Sequence, residues 1–515
     1  MELPELRRQA RAVVDDPTLT YRQRMHRLAG LAENALEPPP VSAECAEALE
    51  KRVICDLYEG NAPHRPRYVL PDYATLLRDG SAFLELGPAH DLDEALTHLL
   101  IAYTQVPSIT GYPVWLGDLD ALPEPYVGGL DDGELHRRLR LFWISLDRIL
   151  PDAFTHANLG PLDTRVGRTA LRLERELLQV VPNLSLKVDP ALTPDDLVRD
   201  AVETVFACGQ PHFVNHPMMV AGLGPEYGVA SCYNSLRAGG GSHTLVRLNL
   251  REVALRHRGS RASYLEELLP HYVGLTAELM QSRILHLVEE ARFFEHSWLV
   301  ADGLVHLDRF SAMFGIYGLA EAVSLVLEHE GHPGRYGEDA AADELAEQIL
   351  RRVSDLVAAR PMPYCDGNGG HAFLHSQSGI DSDLDVTAGC RITVGQEPGL
   401  LRHLQAVAPH HQLFQAGISD VLAFDETARR NPDAVVDVIR GAFRTGMRDF
   451  TFNLDSNDFI RITGYLVRKS DLAKVERGAR HDSTFLGAGS VAQSHVDRRT
   501  AKRVVAHELD AGPAR

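Results

Sequence analysis

Apolar positions along this chain recur mainly at helical spacing, broken by a few short runs that read as strands. Leu6, Ala10 and Val13, then Met25, Leu28, Leu31 and Leu36, mark amphipathic helices in roughly the first 110 residues, and Pro38-Pro39-Pro40 is a hard break. Thr193-Pro194-Asp195-Asp196 predicts a further helix start, with Thr at the cap, Pro in the first turn and acids at the positive end. The region from His271 to His329 reads as largely helical, with Met280, Ile284, Leu287, Val288 and Ala291 as its stripe. Strands are predicted at His212-Phe213-Val214, Met218-Met219-Val220, Arg391-Ile392-Thr393-Val394, Val421-Leu422-Ala423-Phe424 and Phe450-Thr451-Phe452-Asn453. A helix from Ala434 to Arg444 separates the last two. Short strands alternating with long helices predict an α/β architecture. The sequence shows no internal repeat, and beyond Arg480 it is rich in mixed charges.

Composition narrows the function classes. The length of 515 residues suits a large core, and 44% hydrophobic with 24% charged residues is ordinary for a soluble protein. A net charge of −19 disfavours non-specific attraction to nucleic acid or to an anionic membrane. The charged start, Met1-Glu2-Leu3-Pro4-Glu5-Leu6-Arg7-Arg8, has no secretory apolar core, and no apolar run approaches the ~20 residues of a membrane span. Cys45, Cys55, Cys208, Cys232, Cys365 and Cys390 are scattered, with no Cys-x-x-Cys pair. The expectation is a reduced, cytoplasmic protein that itself binds neither zinc nor an iron–sulfur cluster.

Two distant segments carry the candidate chemistry. One is Gly228-Val229-Ala230-Ser231-Cys232-Tyr233-Asn234-Ser235-Leu236, followed by Gly239-Gly240-Gly241 and by Leu248-Asn249-Leu250-Arg251-Glu252-Val253-Ala254-Leu255. The other is Arg461-Ile462-Thr463-Gly464-Tyr465-Leu466. A glycine Cα radical has no Cβ to oppose flattening into conjugation with the flanking amides, so glycine is the residue type that can store an unpaired electron on the main chain. A thiol S–H bond is close in strength to that Cα–H bond, so exchange between the two is nearly thermoneutral. The resulting thiyl is strong enough to take hydrogen from carbon activated by a neighbouring oxygen. This differs from thiolate chemistry. Each segment also has a plainer reading: Cys232 as a small core residue, Gly464 as a turn glycine.

Together the segments resemble the glycyl radical enzymes, most closely the YjjI-type family. Phe314-Gly315-Ile316-Tyr317-Gly318-Leu319-Ala320-Glu321-Ala322 looks like the Gly-Leu-x-Glu helix of anaerobic (class III) ribonucleotide reductase. His411 to Gly417 and Gly446 to Asn453 look like its approach to the radical loop, and all patches fall in that family's order. The resemblance implies a ten-stranded barrel of two five-stranded half-barrels ringed by helices. It implies a helical region at 1–110, a barrel at 111–480 holding the cysteine loop (228–241) and the radical loop (461–466), and a tail at 481–515. Catalytic roles fall on Cys232 and Gly464. A separate S-adenosylmethionine-dependent iron–sulfur activase would install the radical, a homodimer is the family expectation, and the chemistry would be oxygen-sensitive. The substrate expected is a small oxygenated molecule such as a polyol, a hydroxylated carboxylate or a sugar derivative, undergoing elimination or carbon–carbon cleavage.

The sequence departs from that family's better-known members at several points. Where diol dehydratases carry a Glu two residues after the cysteine, this chain has Asn234, and Ser231 stands where pyruvate formate-lyase has a second cysteine. Leu454 to Arg461 holds none of the zinc cysteines of anaerobic ribonucleotide reductase, and the N-terminal part is short for its regulatory cone. Two alternatives stay open: a ribonucleotide-reductase-like enzyme acting on nucleosides or nucleotides, which the match at Asn249 favours, and a non-catalytic scaffold. Asn234, Ser235, Asn249, Cys365, Asp366 and His371 are candidate substrate-binding residues. The last three belong to the Gly-rich polar loop Tyr364 to His371, which could equally be a surface turn. His329-Glu330-Gly331-His332 mimics metal spacing but falls at a helix end before Pro333, and no Lys-Ser/Thr follows Gly241 to make a phosphate loop.

Overall fold

Fifteen strands are described in chain order: β1 (Ile54–Asp56), β2 (Tyr68–Leu70), β3 (Trp115–Asp118), β4 (His156–Leu159), β5 (Asn183–Val188), β6 (His212–Asn215), β7 (Tyr227–Ala230), β8 (Asn234–Arg237), β9 (Gly240–Asn249), β10 (Phe310–Tyr317), β11 (Phe373–Ser376), β12 (Asp420–Phe424), β13 (Asp449–Leu454), β14 (Phe459–Arg461) and β15 (Leu466–Arg468). The structure is a computed structural model. It describes residues 3–56, 64–107, 112–150, 154–231, 233–376, 386–461, 466–471, 477 and 501–504.

Two sheets organise the chain. One runs β1-β9-β10-β11, with β2 also on β9; the other runs β12-β13-β6-β5-β4-β3. β1 and β2 pair with separate stretches of β9, at Leu248–Val246 and Ser242–Gly240, so they share one lateral position. Counted that way, the described strands occupy four positions in one sheet and six in the other. The sheets meet along both borders. Ala416 N donates to Leu374 O at 3.3 Å and Ser376 N to Gly417 O at 2.9 Å, which joins β11 to the segment entering β12. At the opposite border β2 packs on β3, and Tyr73 Oη donates to Trp115 O at 3.1 Å.

Helices cover the outside: Leu269–Leu285 packs on β9, Ala340–Ala358 on β11 and Asp195–Cys208 on β13. β5 shows why the sheets are covered outside yet polar within. Asn183-Leu184-Ser185-Leu186-Lys187-Val188 alternates strictly, but every residue is buried. Leu184, Leu186 and Val188 of its apolar face join the main hydrophobic core, and its buried polar face must therefore meet other buried polar groups. This is an α/β fold of two strand layers ringed by helices, as expected.

The strands at 212–214, 421–424 and 450–453 and the helix over 434–444 all occur, the last as Pro432–Thr445. Met218-Met219-Val220 is not a strand. It lies in the helix His216–Leu223, because Asn215 caps that helix from Met218 N and Pro217 opens its first turn. Arg391 to Val394 is irregular; the preceding Cys390 N is bound by Ser376 Oγ, and Arg391 Nε donates to Ser419 O. The region expected to be helical from His271 to His329 contains β10. Its run Phe-Ser-Ala-Met-Phe-Gly-Ile-Tyr is buried on both faces, which removes the alternation that marks a strand. Thr193 lies one residue before the cap, which is Pro194, and instead donates to Pro161 O at 2.7 Å.

Candidate active site

A hairpin enters the space between the two sheets. β7 and β8 pair antiparallel from Tyr227↔Arg237 to Ala230↔Asn234, leaving residues 231–233 as the tip. Ser231 and Tyr233 both take left-handed backbone conformations, at φ 49° and 62°. Cys232, between them, lies outside the described residues.

Interior contacts hold the hairpin from both sides. Asn158 on β4 donates from Nδ2 to Val229 O, and its Oδ1 accepts from both Val229 N and Trp115 Nε1, all at 2.9 Å. Gly228 is required here, because a Cβ would stand 2.5 Å from the Trp115 ring. On the far side, Ser235 N donates to Ala416 O at 2.9 Å. Gly417, at φ 131°, lets the chain pass so close that a Cβ would fall 2.1 Å from Tyr233 O.

A second hairpin carries the other candidate. β14 and β15 pair from Phe459↔Arg468 to Arg461↔Leu466, and residues 462–465, including Gly464, lie outside the described residues. Arg461 anchors this hairpin inward. Its Nη1 donates to Asn183 Oδ1 at 2.6 Å and its Nε to Gly209 O at 3.3 Å, while Asn453 pairs with its backbone N and O at 2.8 Å each. Gly209, at φ 72°, admits Leu466, whose Cδ1 would lie 2.8 Å from a Cβ there. Leu466 packs with Val180, Val181, Cys208 and Phe459.

The tip ends of both hairpins, through Tyr233 and Arg461, converge on the inner face of β4, β5 and β6. The register places His156 beside Asn183, and Asn158 beside Ser185, which in turn pairs with His212. His212 lies against Tyr233, with ring centroids 4.3 Å apart, and His156 is 6.2 Å from His212. His212 Nδ1 is 3.1 Å from Asp449 Oδ1 on β13.

Burial governs the electrostatics of this cluster. It holds both imidazoles well below the usual histidine range, and the Arg461 charge lowers them further. Burial pushes Asp449 up to about 8, against the pull of a Ser419 hydrogen bond and the surrounding arginines. It brings Arg461 down to about 10 and raises Tyr233 to about 12.

A second row crosses the other sheet. Cys55, Arg247, Gly315 and His375 are lateral neighbours on β1, β9, β10 and β11. Gly315 leaves room for the Arg247 side chain, whose Cγ would lie 2.9 Å from a Cβ. His375 Nδ1 meets Gly417 O at 2.9 Å, which aims this row at the Tyr233 side of the hairpin. Burial lowers its imidazole to about 4, with Arg67 and Arg247 adding to the effect.

The remaining sequence candidates separate. Asn234 and Ser235 are buried at the hairpin tip. Asn234 Nδ2 donates to Ala230 O at 3.2 Å and its Oδ1 has no partner, while Ser235 Oγ reaches Tyr233 O at 3.4 Å. Asn249 ends β9, and its Oδ1 accepts from Glu252 N to cap Leu250–Arg256. Cys365 is buried, with its thiol pushed up to about 12. Asp366 opens the turn Asp366–Asn368, and His371 Nδ1 meets Gly369 O of its own loop. Gly367 of that loop abuts Arg309 and Phe310, and Gly240 at the start of β9 also abuts Arg309, so the loop lies at the base of the β7–β8 hairpin and away from its tip. Asn158, His156, Ser185, His212 and Asp449 were missed by sequence reasoning, whereas His375 was noted only as lying behind the Tyr364–His371 loop. The alternation of polar and apolar residues in β5 was the available clue.

Among the described residues, no group of three or more His, Cys, Asp or Glu is placed to hold a metal ion, and no helix is long and apolar enough to cross a membrane.

Comparison with known proteins places this geometry. The family described as "Glycyl radical enzyme YjjI-like" matches residues 19–502. The protein YjjI of Escherichia coli (strain K12) is 47% identical over 506 residues, covering 98% of this chain and 97% of that protein. Among solved structures, the anaerobic ribonucleotide reductase from Thermotoga maritima in complex with dATP and CTP superposes with a TM-score of 0.68. It is 13% identical and covers 92% of this chain and 94% of its own. The glycerol-bound B12-independent glycerol dehydratase from Clostridium butyricum superposes at 0.65, with 12% identity, 93% of this chain and 84% of its own.

Proposed function

The chain belongs to the YjjI-like glycyl radical enzyme family, and on that premise we propose that Gly464 stores a radical and passes it to Cys232. Cys232 then takes hydrogen from a small oxygenated substrate. The observation that carries this reading is the convergence of both hairpins. Arg461, three residues before Gly464, and Tyr233, directly after Cys232, are anchored on the same inner face of β4, β5 and β6. A thiyl and a glycyl radical need a dry enclosure, which the two sheets supply. The radical is installed in trans by a radical S-adenosylmethionine enzyme, and the working unit is a homodimer.

The interior is polar and hydrogen-bonding, which suits a hydroxylated substrate undergoing elimination or carbon–carbon cleavage. The fold neighbours include a glycerol dehydratase, which agrees with that class. Nucleotide reduction is the weaker reading, because the Asn249 side chain is engaged as a helix cap. The test is activation under anaerobic conditions followed by exposure to air. A doublet radical signal should appear, and oxygen should cut the chain at Gly464. Gly464→Ala should abolish both. An intact chain in activated wild-type protein after air exposure would refute the assignment.

A further inference from the structure

A cavity of about 620 Å³ lies outside both sheets. Its walls are the helices Leu250–Arg256 and Leu319–His329 and the loops that carry Arg335 and Gln396. No described lining residue belongs to a strand or to either hairpin. β9 and β10 run parallel and each feeds one of these helices, so the cavity is a crevice between two helices that follow adjacent strands. Its volume is within the roughly 300–1,000 Å³ of small-molecule sites.

The charged lining is not balanced. Arg251 is held by Glu252, with Nη1 and Oε1 2.9 Å apart, and Arg335 is held by Glu338. Asp339 accepts from the Arg335 backbone N at 2.6 Å. Among the described residues, two lining carboxyls are left over. Glu321 Oε1 accepts from Thr387 N at 3.0 Å, but its Oε2 is sealed from solvent and has no partner. Burial raises the Glu321 pKa, and of the influences that oppose this the Arg251 charge is the smallest. Glu328 is exposed, with no hydrogen bond or ion pair to its carboxylate.

These two carboxyls lie seven residues apart on Leu319–His329, close to two turns, so they share a face about 10 Å apart along the axis. Leu325 sits between them, and Leu255 and Pro333 line the walls. An enclosed acceptor at one end, an exposed one at the other and an apolar middle select a ligand with two cationic donors joined by hydrocarbon. We propose that this cavity binds a short linear diammonium alkane, with one ammonium on Glu321 and the other on Glu328. An ammonium–carboxylate contact takes up about 2.8 Å at each end, so the axial separation calls for a spacer of only a few carbons. The bound cation favours the charged form of Glu321, which burial alone opposes.

The test is isothermal titration of the full, unactivated chain with butane-1,4-diamine, in parallel with butan-1-amine and with magnesium chloride. The diamine should bind saturably and about tenfold tighter than the monoamine, the difference one charge-assisted contact makes. Glu328→Gln should weaken the diamine about tenfold and leave the unfolding midpoint unchanged, because that side chain is exposed and unpaired. Glu321→Gln keeps an oxygen for Thr387 N and should weaken binding in the same way. A diamine that does not saturate, that binds no tighter than butan-1-amine, or that binds Glu328→Gln as it binds wild type would overturn the site. With a net charge of −19, the chain also attracts cations generally. Displacement of the diamine by an equal concentration of magnesium would reduce the effect to that attraction and would overturn the site as well.

Discussion

Arg461 donates from Nη1 to Asn183 Oδ1 at 2.6 Å, across 278 residues of sequence, with both side chains sealed from solvent. This single contact ties the strand that leads into Gly464 to the strand next to His156. It explains why an arginine stands at the start of the radical loop. The planar fork reaches Asn183 and Gly209 O together, and a flexible ammonium cannot reproduce that geometry. Arg461→Lys should lower stability by about 2–4 kcal/mol, through unpaired buried groups, and reduce the doublet yield. Chemical denaturation and spin counting on the same preparation check it. A variant with wild-type values in both would remove Arg461 from the account.

Gly417 should tolerate no side chain. Gly417→Ala combines a left-handed φ with a contact 2.1 Å from Tyr233 O, and is expected to cost about 2–4 kcal/mol and to disturb the hairpin tip. Gly399→Ala, at a position with open space around it, is the control and should change the unfolding midpoint little.

Asn158 is the interior clamp on the cysteine hairpin. Asn158→Ala removes the partners of Val229 N, Val229 O and Trp115 Nε1 at once, and should cost about 2–4 kcal/mol. Hydrogen exchange should show the loss as faster opening of β7 and β8 while β5 stays protected. Uniform loosening of the fold would contradict a local role.

Much of this was legible in the chain and some was not. The order of the cysteine segment and the radical loop can be read from residue types, because a thiyl and a main-chain radical each demand one amino acid. β12 and β13 show as apolar runs bounded by loops. β10 does not, since burial on both faces erases its period, and Met218 to Val220 misleads because a local cap and a proline outweigh strand propensity. His212 and Asp449 are 237 residues apart, and only the antiparallel pairing of β13 with β6 brings them together. The polar loop of Cys365, Asp366 and His371 looked equally chemical, yet its place is fixed by Arg309 and Phe310 at the hairpin base.

Stability should also report on the buried carboxyl behind this wall. Glu174 accepts from Trp143 Nε1 at 2.6 Å and from Gln210 Nε2 at 2.5 Å, and burial raises its pKa to about 8. A raised carboxyl contributes fully below the ordinary range near 4.3 and loses that contribution as pH rises, by up to about 1.4 kcal/mol per unit, until about pH 8. Wild-type stability should therefore fall between about pH 5 and 8, and Glu174→Gln should flatten that fall. Parallel profiles for the two proteins would mean that Glu174 is ionised in the folded state.

The most direct measurement is deuterium exchange at the radical glycine, which needs no substrate. If the radical hops reversibly from Gly464 to Cys232, the thiol hydrogen equilibrates with solvent and returns to the glycine. The doublet of activated wild-type protein should then collapse towards a singlet in D2O, while Cys232→Ser keeps its doublet. A Cys232→Ser variant that collapses as fast as wild type would contradict the transfer on which the account depends.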